Sequence, residues 1–285
     1  MYFTIITASF NQGRFIQECL RSVLRNADHP SLHVEHIIID AESTDSTAEI
    51  LHAWAEEIAK KELKNYSFKY LIESDKGMSD GINKGANLAS GEWWMWLNSD
   101  DYLLPGALEH VSASISAHPK AQVVYGGWIF VDAKGTFLKT MKSIPFDLNM
   151  MIHYGCYIGS TACFLKTSET IHENELLNIN FKQVMDQEYY VRLGKKGLNF
   201  VYLPQLLAAF RLHEDNTSRK HNQASDLIGI LKRELQQSEV RAISRFYGIN
   251  PVRHLVYRNF FETLLWTFYR IKKPVRQYIF HTFGL

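Results

Sequence analysis

The chain is poor in cysteine: Cys19, Cys156 and Cys163 are the three in 285 residues, and their spacing is irregular. That is too few for a disulfide framework or a zinc site, and it points to packing roles in a reducing compartment. Neither sign of charge is in excess. Thirty-one Lys and Arg face 30 Asp and Glu, a formal net charge of +1, which argues against a surface built for nucleic acid. No run of about 18 apolar residues occurs, because Glu92 and Asp100 bound the tryptophan-rich run and Arg258, Glu262 and Arg270 interrupt the C-terminal one. The opening residues, Met1 to Thr7, hold no basic segment, no long apolar stretch and no small-residue cleavage site. Neither a signal peptide nor a membrane span is therefore expected, and the expected location is cytoplasmic. Internal repeats and low-complexity segments are also missing. What is present, 46% apolar and 21% charged residues, is the make-up of an ordinary folded protein with a packed core.

The order of patterns is that of alternating strands and helices. Residues 2–8 form an apolar, β-rich run; Phe15, Ile16, Cys19, Leu20, Val23 and Leu24 then recur at helical spacing. A second strand, Val34 to Asp40, leads to a helix whose start carries Ser46 and Glu49 in capping-box register. Phe68 to Glu73 reads as a third strand, Ser79 to Ala89 as a short helix, Glu92 to Leu97 as a fourth strand, and Pro105 suits the first turn of another helix. Such a rhythm predicts a parallel sheet covered on both faces, with its ligand beyond the carboxyl ends of the strands. Past residue 120 the strands predicted at Val123–Val131, Thr161–Leu165 and Phe200–Phe210 are joined by longer loops. From about Asn222 the sequence turns helical, with Leu227, Ile230, Leu231 and Leu235 on one face, and ends in a basic, aromatic tail.

Three of the early strands run into carboxylates: Asp40 in IIIDAESTDST, Asp75 in LIESDKGMSDGINKG, and Asp100 with Asp101 in LNSDDY. Adjacent acids at a strand end, beside Asn98 and Ser99, supply the hard oxygens that magnesium or manganese prefers when a diphosphate completes the shell. The alternative is a polar turn capping the next helix. The tryptophans before them, Trp93, Trp94 and Trp96, read as the buried strand rather than as a sugar-stacking platform.

The ordered series Thr7-Ala8-Ser9-Phe10-Asn11, Asp40 to Thr47, Asp75 to Gly85 and Asn98 to Asp101 resembles the family-2 glycosyltransferases, enzymes of the GT-A fold. The resemblance covers roughly residues 2–218. It implies a mostly parallel mixed sheet flanked by helices, with a nucleotide-sugar-binding half at 1–104, an acceptor-binding half at 105–220 and a helical extension at 221–285. It also implies Thr7, Ser9 and Asp40 at the base and ribose, Asp75 near the base, and Asp80, Asn83 and Lys84 toward ribose or sugar hydroxyls. Asn98, Ser99 and Asp100 would face the donor, and Mn2+ or Mg2+ would be held by Asp101 first, then Asp100 and His213. One motif departs from the pattern: Asp40-Ala41-Glu42-Ser43 stands where the family has a glycine turn.

Asp186, in VMDQEYYVRL, resembles the family's catalytic aspartate, which deprotonates the acceptor hydroxyl while the nucleoside diphosphate leaves from the opposite face, inverting the anomeric centre. Gly155, Gly159 and the segment from Ser160 to Cys163 fall where the family shapes its acceptor pocket. The implied donor is a nucleoside-diphosphate sugar, UDP being the carrier, and the acceptor a hydroxyl of a glycan or glycolipid. A non-catalytic nucleotide-sugar or glycan-binding module of the same fold is the alternative. The basic-aromatic residues 251–285 suggest either peripheral contact with anionic lipid at the inner face of the membrane or a homodimer contact.

Overall fold

The computed structural model describes residues 1–153, 155–171, 176–214, 216 and 236–243. The tail 251–285, with its expected lipid or dimer contact, and the leucine stripe from Leu227 to Leu235 lie outside the described residues. Among the described residues no helix is long and apolar enough to cross a membrane.

Among the described residues nine strands form one mixed sheet in the order β3-β2-β1-β4-β8-β6-β9-β5, with β7 on β6. The first four, β1 (Tyr2–Ser9), β2 (His33–Asp40), β3 (Tyr66–Ile72) and β4 (Trp93–Trp96), pair in parallel. Helices α1 (Ile16–Asn26), α2 (Thr47–Lys61) and α3 (Met78–Asn87) make the crossovers. Their length and apolar faces impose the parallel arrangement, since parallel neighbours cannot be joined by a tight turn. The tryptophan run is the interior strand expected: β4 lies between β1 and β8, and Trp94 and Trp96 are buried.

The second half adds β5 (Tyr102–Leu103), α4 (Ala107–Ala117), β6 (Val123–Asp132), β7 (Phe137–Met141), α5 (Leu148–His153), a 3-10 turn at Ser160–Ala162, β8 (Cys163–Lys166), α6 (Thr167–Thr170), α7 (Met185–Lys195) and β9 (Phe200–Leu212). Here β8 runs antiparallel to β4 and to β6, and β9 runs parallel to β6. Two cores result. One lies under α1, α2 and α4; the other, built on Trp94, Trp96, Tyr189 and Tyr190, lies under α3 and α7. The helical segment 236–243 joins the second core through Val240 and the buried Ile243.

Two local expectations are corrected. Ser46 makes no side-chain cap on α2. Asp45 does that work: its Oδ1 accepts the Thr47 N–H at 2.9 Å, and its Oδ2 accepts the Gly13 N–H at 2.9 Å. A carboxylate two residues back reaches the first-turn donor and also fastens the loop after β1, which a serine hydroxyl could not do at once. Pro105 precedes α4 rather than opening it, because Gly106 takes the left-handed cap position at φ 76°.

Candidate active site

The carboxyl ends of β1, β2 and β4 and the loop after β3 converge at one edge of the parallel half. Ser9 ends β1; its hydroxyl is buried and has no hydrogen-bond partner among the described residues. Thr7, two residues deeper, is directed into the core, where its hydroxyl meets His36 Nε2 at 3.2 Å. Burial lowers the His36 pKa to about 3, so that ring is neutral. Thr7 therefore braces the strand and does not face the crevice.

Asp40 ends β2 and is fully buried. Its carboxylate accepts the Ser43 N–H at 2.9 Å and the Ser43 hydroxyl at 2.6 Å. Ser43 in turn accepts the Asn11 N–H, and Asn11 Oδ1 accepts the Thr44 N–H. The departure from the glycine-turn motif is explained by backbone geometry: Glu42 itself adopts φ 55° and makes the left-handed turn, at a cost of about 1–2 kcal/mol that a glycine would avoid. The loops after β1 and β2 are thus one hydrogen-bonded unit.

After β3, Asp75 Oδ1 accepts the Gly77 N–H at 2.7 Å, while its other oxygen lies where a side chain at residue 81 would stand; a Cβ on Gly81 would come within 2.9 Å of it. Glycine at 81 lets the carboxylate lie against α3. The three residues expected toward ribose or sugar hydroxyls are engaged in holding loops. Asp80 accepts the Lys76 N–H, Lys84 Nζ donates to Ser74 O at 2.6 Å and pairs with Glu73, and Asn83 bonds both backbone groups of Leu177. An aromatic that the motif reading left without a role, Phe10, follows Ser9 and is 58% exposed, an open face at the mouth of the crevice.

The loop after β4 separates its acids. β5 pairs antiparallel with β9, Tyr102 opposite Ala209, and this brings the end of β9 against Asp100 and Asp101. Asp101 is 1% exposed; its Oδ1 accepts the Arg211 N–H at 2.9 Å and its Oδ2 the Asn98 amide at 3.0 Å. Burial, reinforced by the neighbouring Asp100, holds its pKa well above the usual carboxylate range, against the pull of those two donors. Ser99 is buried beside it. Asp100 faces outward, with 14% of its side chain exposed. Its Oδ2 lies 2.9 Å from His213 Nε2 and accepts the Asn216 amide at 3.0 Å. The Arg211 guanidinium, buried and paired with Glu18, donates to the Asp100 carbonyl at 2.9 Å. Asn216 is therefore a part of this corner to which the sequence assigned no role.

A divalent cation fits this corner in part. Asp100 offers a hard oxygen and His213 an imidazole nitrogen beside it. Among the described residues no group of three or more His, Cys, Asp and Glu side chains could hold a metal alone, so a diphosphate and water would have to complete the shell.

Asp186 lies in the first turn of α7, partly enclosed, with Oδ1 accepting the Gln187 N–H at 2.8 Å. Burial raises its pKa; that N–H and the Cys156 thiol oppose the rise. Cys156 and Cys163 have thiols pushed up by burial, which makes them packing groups rather than nucleophiles. The turn before Asp186 touches the loop after β3 and the start of α3: Lys182 Nζ donates to Lys76 O at 2.8 Å, and the Ser79 hydroxyl meets Met185 Sδ at 2.8 Å.

Residues 4–183 match glycosyl transferase family 2; the chain belongs to that family, and its architecture is of the GT-A type. Over 125 residues it is 30% identical to a PGL/p-HBAD biosynthesis glycosyltransferase of Mycobacterium bovis, a match spanning 44% of this chain and 45% of that protein. Over 238 residues it is 26% identical to TuaG of Bacillus subtilis, provisionally named a teichuronic acid biosynthesis glycosyltransferase, covering 82% and 88% of the two chains. Similar solved structures include S. aureus TarS 1-349 in complex with UDP-GlcNAc, at TM-score 0.61 and 18% identity over 90% of this chain and 78% of that one. They also include the mannosyltransferase PcManGT of Pyrobaculum calidifontis with GDP-Man and Mn2+, at 0.62 and 14%, over 98% and 75%.

Proposed function

We propose that the chain transfers a sugar from a nucleoside-diphosphate donor, with UDP as the carrier, to a hydroxyl of a glycan or glycolipid, with inversion and with the help of Mn2+ or Mg2+. The observation that carries this reading is the place of Asp186: a raised-pKa carboxylate at a helix start whose preceding turn is bonded to the donor loop at Lys76 and Ser79. The UDP-GlcNAc bound to TarS and the GDP-Man bound to PcManGT support a nucleotide sugar as donor, and the likeness to TuaG supports a role in making a glycan.

In this scheme Asp40, Asp75, Ser9 and Phe10 form the nucleoside end. Phe10 offers an aromatic face to the base, and the unpartnered Ser9 hydroxyl a hydrogen bond to the nucleoside. Asp100 and His213 would hold the cation, with Arg211 fixing their loop. Bound there, the metal supplies positive charge to the departing diphosphate. Asp186 takes the proton from the acceptor hydroxyl as that oxygen attacks the anomeric carbon. Asp80, Asn83, Lys84, Asn98 and Asp101 shape the loops.

A panel of sugar nucleotides, with and without manganese, tests the proposal by nucleoside diphosphate release and by binding. One UDP-sugar is expected to turn over in a metal-dependent way. Binding without release across a broad acceptor screen would favour the non-catalytic module. The proposed lipid contact of 251–285 is tested by liposome flotation of the full chain carrying Arg270→Glu, Lys272→Glu and Lys273→Glu. Reduced binding to anionic vesicles is expected, and equal binding would leave the dimer reading.

A further inference from the structure

The segment before Asp186 has an unusual anchor. Glu239, in the helical segment 236–243, is 6% exposed, and its carboxylate accepts three successive backbone donors. The Lys182 N–H lies 2.9 Å from Oε1; those of Gln183 and Val184 lie 3.0 and 3.2 Å from Oε2. Val184 is the cap residue of α7, and its own side chain caps nothing. An apolar residue at that position leaves the entry to the helix without local support. The support comes instead from more than fifty residues away along the chain, as a charged acceptor on three converging amides, the strong form of such bonds. The anchor itself is held by Val240 and Ile243, which pack into the same core as Val184, Tyr190 and Leu193.

From this geometry we infer that Glu239 is a positioning residue for Asp186. The turn 182–185 is gripped on two sides. Lys76 and Ser79 hold it from the donor half, Glu239 from the C-terminal segment. With both grips in place the first turn of α7, and the carboxylate on it, has one position relative to the donor. Removing Glu239 takes its carboxylate from three backbone N–H groups, that of Val184 buried, and frees the turn to shift, and a displacement of about 1 Å at a reacting group can lower turnover by about 100-fold. The role rests on the proposed reading of Asp186 as the base.

The test compares Glu239→Ala, Glu239→Gln and Asp186→Asn in the full chain. Transfer kinetics are measured with the sugar nucleotide found active in the panel, and amide hydrogen exchange at 182–187 is read by mass spectrometry. Glu239→Ala is expected to lower kcat by about 10- to 100-fold with the donor KM unchanged, and to lose protection at 182–187 while β1, β2 and β4 keep theirs. Glu239→Gln retains one acceptor oxygen and turns a donor toward the remaining amides, so an intermediate result is expected; it also carries the test if the alanine variant fails to fold. Unchanged protection at 182–187, or protection lost evenly across the chain, overturns the inference. Wild-type transfer by Asp186→Asn would instead sink the base assignment, and the exchange data would still decide whether Glu239 holds the turn.

Discussion

Asp186→Asn is expected to reduce sugar transfer by about 10²- to 10⁴-fold, the usual contribution of a positioned general base, while donor binding stays as it was and the melting temperature rises. The rise is the less obvious half. Burial raises the Asp186 pKa above its ordinary value, so the folded chain holds the proton to higher pH than the unfolded chain does. By linkage, stability falls as pH rises through the interval between the ordinary carboxylate value and the raised one, and the loss persists at neutral pH. Asparagine keeps an oxygen for the Gln187 N–H and never carries the charge, so it is relieved of that loss. The stabilisation should therefore be seen at pH 7 and shrink toward acid pH, where the native carboxyl is itself protonated. In the unaltered chain kcat/KM should rise with pH along an acid limb lying above the ordinary carboxylate value, since only the ionised form accepts the proton. Thermal unfolding of both proteins across pH, with a kcat/KM profile, measures all of this. A lower melting temperature at neutral pH, or retained transfer, would remove Asp186 from the role.

How much of this could be read in advance depended on whether a residue's task was local. β1, β2 and β4 were readable because interior parallel strands are apolar on both faces, and Asp40 and Asp100 follow as the places where the apolar runs stop. β5 was not, because two residues carry no periodicity; it exists through pairing with β9, some hundred residues later. β7 was missed because Phe137 and Leu138 are exposed, so no buried face imprints a pattern on the strand. The roles of Asn83 and Lys84 turn on which loop lies beside α3. Asn83 meets Leu177, more than ninety residues on, and no spacing within the helix announces that. Glu239 is the extreme case, an ordinary glutamate on a helical stretch until its partners at 182–184 are seen. The expected order at the cation, Asp101 before Asp100, came from the family motif alone, since adjacent residues of a turn face in directions set by the register of β5 against β9.

That last distinction gives the second large effect expected. Asp100→Ala should lower metal-dependent donor affinity at least tenfold, because it deletes a partly exposed carboxylate beside His213. Its effect on thermal stability should be the smaller of the two. Asp101→Ala should do the reverse. It removes the acceptor of the buried Arg211 N–H and of the Asn98 amide, and an orphaned buried donor costs about 1–3 kcal/mol. Against this stands the relief of a carboxylate kept in a site that disfavours its charge, so the net loss is expected to be smaller than the sum of the two bonds. What remains folded should still bind donor with a metal dependence. Asp101→Asn separates these contributions: its oxygen can serve the Arg211 N–H, while its amide opposes the Asn98 amide unless Asn98 turns over, so its stability should fall between wild type and alanine. Calorimetric titration of donor with and without manganese, run beside thermal unfolding, sorts the variants. Metal dependence lost in Asp101→Ala at an unchanged melting temperature would return Asp101 to the head of the metal set. Undiminished metal-dependent affinity in Asp100→Ala would remove the cation from the Asp100 and His213 corner altogether.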